Sequence, residues 1–116
     1  MHELPVTQSI LGIVVRHAEA QRVKRVVAID LSIGALSDLE AEWIQSYFDH
    51  LSEGTVAEGA VIRVRRSPLT FLCRPCSQEY SAIRDELDAA SCPLCGSRDS
   101  SIVGGTAYTV ESMEAE

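Results

Sequence analysis

Cys73-Arg-Pro-Cys76 and Cys92-Pro-Leu-Cys95 repeat one spacing, C-x2-C, with 15 residues between the pairs. Two intervening residues allow a tight turn that aims both sulfurs of a pair at one point. Two such turns facing each other make a tetrahedral sulfur cage, a geometry zinc(II) accepts readily. Gly96, directly after the second pair, supplies the backbone freedom such a turn often needs. Three other uses compete. A thioredoxin-like redox pair needs one motif in a strand-to-helix context, whereas here two motifs lie in a loop-rich stretch. An iron–sulfur cluster takes four thiolates too, usually at other spacings. Two disulfides need an oxidising compartment. Structural zinc(II) is the expectation, because four protein thiolates leave no coordination position open for water.

A second constellation stands at Met1-His2-Glu3. A histidine at position two is ordinarily an exposed residue in a frayed end. The alternative is chemically specific. The Met1 amine, the His2 amide nitrogen and the His2 imidazole can close adjoining chelate rings around one ion. The Glu3 amide nitrogen can supply a fourth donor in the plane. Four coplanar nitrogens suit nickel(II) or copper(II), not zinc or magnesium. The chelate requires that Met1 be retained, and a bulky His2 hinders its removal. His17 and His50 lie in helical stretches at easily solvated positions and are weak candidates for ligands. No Ser–His–Asp group, Gly-rich phosphate loop or paired catalytic carboxylates accompany these sites, so no enzyme is expected.

The elements that must hold these groups can be read from periodicity. Leu4 to about Gln21 reads as a helix with Ile10, Leu11, Val14, Val15 and Ala18 on one face, Pro5 being tolerated in the first turn. Val23 to Ile33 reads as a half-buried strand, Val27, Ile29, Leu31 and Ile33 alternating with Ala28, Asp30 and Ser32. Ser37-Asp38-Leu39-Glu40 predicts a capping box before a helix running to about Leu51. Its inward stripe is Leu39, Trp43, Ile44, Tyr47, Phe48 and Leu51. Ala60 to Arg66 reads as a strand with Ala60, Ile62 and Val64 on one face, and Pro68 marks departure from the sheet. From Phe71 to about Asp99, cysteines and prolines replace core residues, so that stretch needs metal to fold. Thr106 to Met113 is strand-like again and is expected to return to the first sheet.

The expected fold is therefore α+β: two helices on a small, three-stranded, mostly antiparallel sheet, with an inserted zinc-ribbon-like module. The expected domains are 1–68 plus 100–116 for the helix-and-sheet part and 69–99 for the zinc module.

Composition narrows the function classes. The 116 residues carry a net charge of −7 and are 46% hydrophobic but only 5% aromatic, which predicts one small aliphatic core. An acidic chain repels phosphate backbones and argues against reading nucleic acid. Arg63, Arg65 and Arg66 form a local basic cluster, better read as the solvated face of a strand. No segment approaches the roughly 20 apolar residues needed to span a bilayer. No secretory signal is apparent, so reduced thiols and a cytoplasmic location are expected.

Taken jointly, these motifs resemble the HypA (and HybF) nickel metallochaperones of [NiFe]-hydrogenase maturation. The shared features are Met1-His2-Glu3, Ile33-Gly34-Ala35-Leu36-Ser37, the segment Glu53-Gly54-Thr55-Val56-Ala57-Glu58-Gly59-Ala60 and the two late cysteine pairs. The resemblance spans residues 1–116. It implies nickel(II) as transported cargo at Met1, His2 and Glu3, and zinc at Cys73, Cys76, Cys92 and Cys95. It implies delivery to a [NiFe]-hydrogenase large subunit with a HypB-type GTPase as partner. Some members also serve urease maturation. Glu40 matches an acidic residue that joins the nickel shell in the family, although the capping box gives it a purely structural use. One departure is that Ser77, Gln78, Gly96, Ser97 and Arg98 stand where several members carry a histidine beside a cysteine pair. That puts a histidine-dependent zinc switch in doubt. A zinc-ribbon module binding protein or nucleic acid is the competing reading.

Overall fold

The computed structural model describes residues 2–83, 89–105 and 107–116. It forms two compact units. One comprises Met1–Leu31, Asp38–Arg65 and Thr109–Glu116, the other Ser32–Ser37 and Arg66–Tyr108.

In the first unit, α1 (Glu3–Gln21) buries Glu3, Thr7, Ile10, Val14 and Ala18, a stripe spaced by three and four residues. Leu11 and Val15, expected on that stripe, are only half-buried on its flank. The Thr7 hydroxyl donates to the Glu3 carbonyl at 2.6 Å and so enters the core with its polarity satisfied. Arg22 takes a left-handed conformation (φ 54°), and its N–H closes the helix onto Ala18 and Glu19.

β1 (Val26–Gly34) is the central strand of a sheet ordered β2-β1-β6, with β2 spanning Val61–Ser67 and β6 spanning Tyr108–Ala115. Arg63 pairs with Asp30 and the Ser67 hydroxyl reaches the Ile33 carbonyl, so β1 and β2 run in the same direction. Bonds from Gly34 to Ala107 and from Glu116 to Arg25 set β6 antiparallel. The last strand thus returns beside β1, shifted from the expected span, and Thr106 lies outside the described residues. β1 was expected to be half-buried, yet only Val27 and Asp30 escape full burial. The cause is its central position. Arg63 bridges Asp30 and Glu114, and Arg65 reaches from β2 to Glu111 on β6, so long side chains fold across its outer face.

α2 (Ala41–Leu51) crosses between the parallel strands and packs on α1. The expected capping box does not form. The Ser37 N–H bonds back to the Gly34 carbonyl at 3.0 Å, which commits Ser37 to a turn at the end of β1. Glu40 is itself the N-cap, extended at φ −102° and ψ 125°, with no capping bond from its side chain. Ile44 and Phe48 are fully buried, but Trp43, expected inward, is 57% exposed. The buried stripe of this short helix is narrow, and Trp43 lies outside it. Gln45 joins α2 to β2, donating to the Ala60 carbonyl and accepting from the Ile62 N–H.

The second unit has a sheet of its own, whose strands sequence periodicity did not mark: β3 (Leu69–Cys73), β4 (Glu79–Ala82) and β5 (Ser100–Gly104), in the order β4-β3-β5. Both pairings are antiparallel, and the β3–β5 register slips between Thr70 and Phe71. Phe71 stacks on Tyr80 with centroids 5.0 Å apart. Gly105 (φ +86°) passes so close to Pro68 that a Cβ there would lie 2.3 Å from its carbonyl oxygen. Among the described residues no helix is long and apolar enough to cross a membrane.

Candidate metal centres

Cys73 ends β3, and its pair turns at once. The Ser77 N–H donates to the Cys73 carbonyl at 2.8 Å, while the Cys73 N–H donates to Gln78 at 2.9 Å. The second pair repeats this pattern: Gly96 donates to Cys92 at 2.8 Å and Cys92 donates to Ser97 at 2.9 Å. The residue after each pair is left-handed, Ser77 at φ 60° and Gly96 at φ 76°. The two turns are therefore copies of one knuckle. Arg74 ties the first to Asp99 beyond the second by an ion pair of 2.7 Å and a backbone bond of 3.0 Å.

The knuckles bring all four sulfurs within 4.8 Å of one another. Cys73 lies 3.5 Å from Cys95 and Cys76 lies 3.5 Å from Cys92, both contacts crossing between pairs. A tetrahedron with Zn–S bonds of about 2.3 Å has edges of about 3.8 Å. The cage therefore fits zinc in size, donor type and number. No cysteine is bridged by a disulfide; Cys73 and Cys92 are buried and Cys95 is exposed.

The thiols are electrostatically unequal. Burial opposes ionisation of Cys92, but the N–H groups of Cys95 and Leu94 and the neighbouring thiols overcome it, lowering its pKa to about 7. The Cys76 N–H pulls Cys73 down, yet burial and hydrogen bonds to the other three thiols push it up to about 12. Cys92 is thus the thiol most ready to meet an incoming dication, and metal binding displaces thiol protons as the cage closes. A bound zinc supplies charge neutralisation and a cross-link between the knuckles; Cys73, Cys76, Cys92 and Cys95 would hold it.

At the other centre, His2 is exposed and Glu3 opens α1. The Glu3 carboxylate accepts the Glu40 backbone N–H at 3.0 Å. That bond is the chief reason its pKa lies below the usual carboxylate range. Among the described residues the cysteines are the only group of three or more metal-binding side chains that converge. The side chains of His2, Glu3 and Glu40 do not form such a cluster, and Met1 lies outside the described residues. His17 and His50 are exposed on their helices.

A family model described as "Hydrogenase/urease nickel incorporation, metallochaperone, hypA" matches residues 1–115. The chain belongs to the HypA family. Its relatives include the hydrogenase maturation factor HypA of Caldanaerobacter subterraneus subsp. tengcongensis, 36% identical over 117 residues with both chains covered completely. The hydrogenase maturation factor HybF of Escherichia coli K12 is 37% identical over 116 residues, again with complete coverage of both. The fold matches the solution structure of the nickel metallochaperone HypA from Helicobacter pylori with a TM-score of 0.71 at 23% identity, covering 99% of this chain and 97% of that one.

HypA is a metallochaperone family, so the chain belongs with metal carriers rather than with catalysts. Sequence reasoning missed two features of these centres, the left-handed turn at Ser77 and the bond between Glu3 and Glu40. Ser77 could have been found by aligning the two pairs, since it occupies the place of Gly96. The engagement of the Glu3 carboxylate with Glu40 has no sequence signal, because 37 residues separate them.

Proposed function

We propose that this HypA protein carries nickel(II) on a chelate formed by the Met1 amine, the His2 amide and imidazole nitrogens and the Glu3 amide. The observation that carries the reading is the placement of His2 and Glu3 at the start of α1, His2 exposed and the Glu3 carboxylate already committed to Glu40. The first N–H groups of a helix have no intrahelical acceptor. They also sit at its positive end, which eases release of an amide proton to solvent as the metal takes the nitrogen. Main-chain nitrogens are thus the natural donors, with the imidazole completing the set. Glu40 has no capping duty and stands at the neighbouring helix start, where its carboxylate can join an expanded shell. The cargo passes to a [NiFe]-hydrogenase large subunit in the cytoplasm, with a HypB-type GTPase as partner and urease maturation proteins as a further outlet. No bond of a substrate breaks; the ion moves by ligand exchange, donor by donor.

The test is nickel stoichiometry and affinity of untagged, zinc-loaded protein. One exchangeable nickel per chain is expected, with affinity falling steeply as pH drops because amide ligation releases protons. His2→Ala, or extra residues before Met1, removes most of that affinity without changing the fold. Full-strength binding after an N-terminal extension would falsify the chelate.

A further inference from the structure

Trp43, the single tryptophan of the chain, stands exposed near the start of α2. Tyr47 lies one turn on, its ring centroid 6.2 Å away and tilted by 32°. These two rings share the lining of one concavity of about 510 Å³ with Glu3, Asp38 and Glu40. Among the described residues, one part of the lining is aromatic and the rest carboxylate. The Glu3 carboxylate is held by the Glu40 N–H, while the Glu40 side chain makes no capping bond and is exposed.

An exposed indole leaves a large apolar face in water, and that face attracts cations through its quadrupole. Carboxylates beside it add selection for positive charge. Guanidinium is the biological cation with a flat surface to stack on indole and a fork of donors for a carboxylate. An ammonium group uses the stack less well, and a hydrated metal ion has no need of the rings. We propose that this concavity docks an arginine side chain of a partner protein. Charge complementarity supports that occupant: the chain carries −7 overall, so a basic segment is drawn to it from a distance. The docking site shares Glu3 and Glu40 with the surroundings of the N-terminal chelate but needs neither the His2 imidazole nor bound nickel.

The probe is an acetylated, amidated Gly-Arg-Gly-Arg-Gly peptide, with citrulline replacing arginine in a second, neutral peptide of the same shape. Each is titrated into full-length, zinc-loaded, nickel-free protein, with two-dimensional NMR following the Trp43 indole N–H. The arginine peptide is expected to shift that signal saturably, and the citrulline peptide to bind about tenfold more weakly or less. Trp43→Ala and Glu40→Gln each weaken arginine binding about fivefold, read from the shifts of Tyr47 and its neighbours. Glu111→Gln on β6 leaves it unchanged. His2→Ala also leaves it unchanged, which separates this site from the nickel site. Equal affinity for the two peptides, an unaffected Trp43→Ala variant, or no saturable response at Trp43 each overturns the proposal. The dispersion of each variant's spectrum reports that it is folded.

Discussion

Ser77 and Gly96 occupy equivalent places in two copies of one turn, and only glycine adopts their left-handed backbone without penalty. Ser77 therefore stores about 1 kcal/mol of backbone strain that Gly96 does not. Ser77→Gly is expected to stabilise the zinc-loaded protein by about that amount. The measurements are the thermal midpoint and the rate of zinc loss to a chelator. A variant that loses zinc as fast as the parent removes strain as the explanation. The same scale holds the asymmetry among the thiols. Cys92 is drawn toward ionisation and Cys73 away from it, although both are buried and both receive backbone N–H bonds, because the neighbouring thiols favour the thiolate at Cys92 and the protonated form at Cys73.

Between elements, the Glu3 carboxylate is the link that local sequence does not announce. It joins the first residue of α1 to the residue preceding α2, so the starts of both helices are fixed by one charged acceptor. Its pKa is lowered in the folded protein, first by the Glu40 N–H. Such a group contributes stability that is fully present above the ordinary carboxylate pKa. That contribution is lost as pH falls through the depressed value. Asp30, held low by Arg63 and Ser112, contributes with the same sign. Glu3→Gln keeps an acceptor for Glu40 but removes the charge. Its stability is therefore expected to fall below the parent's at pH 7 and to converge on it in the acid range, below pH about 4. Denaturant midpoints across pH check this, and a gap that stays constant with pH assigns Glu3 a merely steric role.

At the scale of the molecule, the two units are stabilised by different physics. The first has an apolar core from the aliphatic Ile10, Val14, Ile29, Leu31 and Ile44 and the aromatic Phe48, all fully buried. The second leaves Ile83, Leu94, Ile102 and Val103 about half or more exposed and has little comparable core among its described residues. Its knuckles rely on the four-sulfur site, so metal binding and folding are one equilibrium there. Removing zinc from the whole chain with a chelator is expected to abolish the slow-exchanging amides of Cys73, Ser77, Cys92 and Gly96. The helical signal of α1 and α2 should persist. Hydrogen exchange and far-ultraviolet circular dichroism test the two halves of that expectation separately, and helices lost along with zinc contradict it.

The chemistry was legible in the residues because metal centres are written locally. C-x2-C fixes two sulfurs within one turn wherever that turn sits in the fold, and the chelate proposed at the N-terminus needs only one imidazole and consecutive main-chain nitrogens. The two helices and three strands of the first unit were legible as well, since apolar periodicity records which face meets a core. Tertiary structure alone decided the rest. The strands of the second sheet pair Leu72 with Glu79 and with Ser101, contacts whose partners are near and far in sequence and leave no periodic mark. The capping motif at Ser37 was overruled by a turn with Gly34, and Glu3 took the N–H of Glu40 instead. Trp43 looked like core because its apolar character says nothing about direction, and only the packing of α2 on α1 left it facing water.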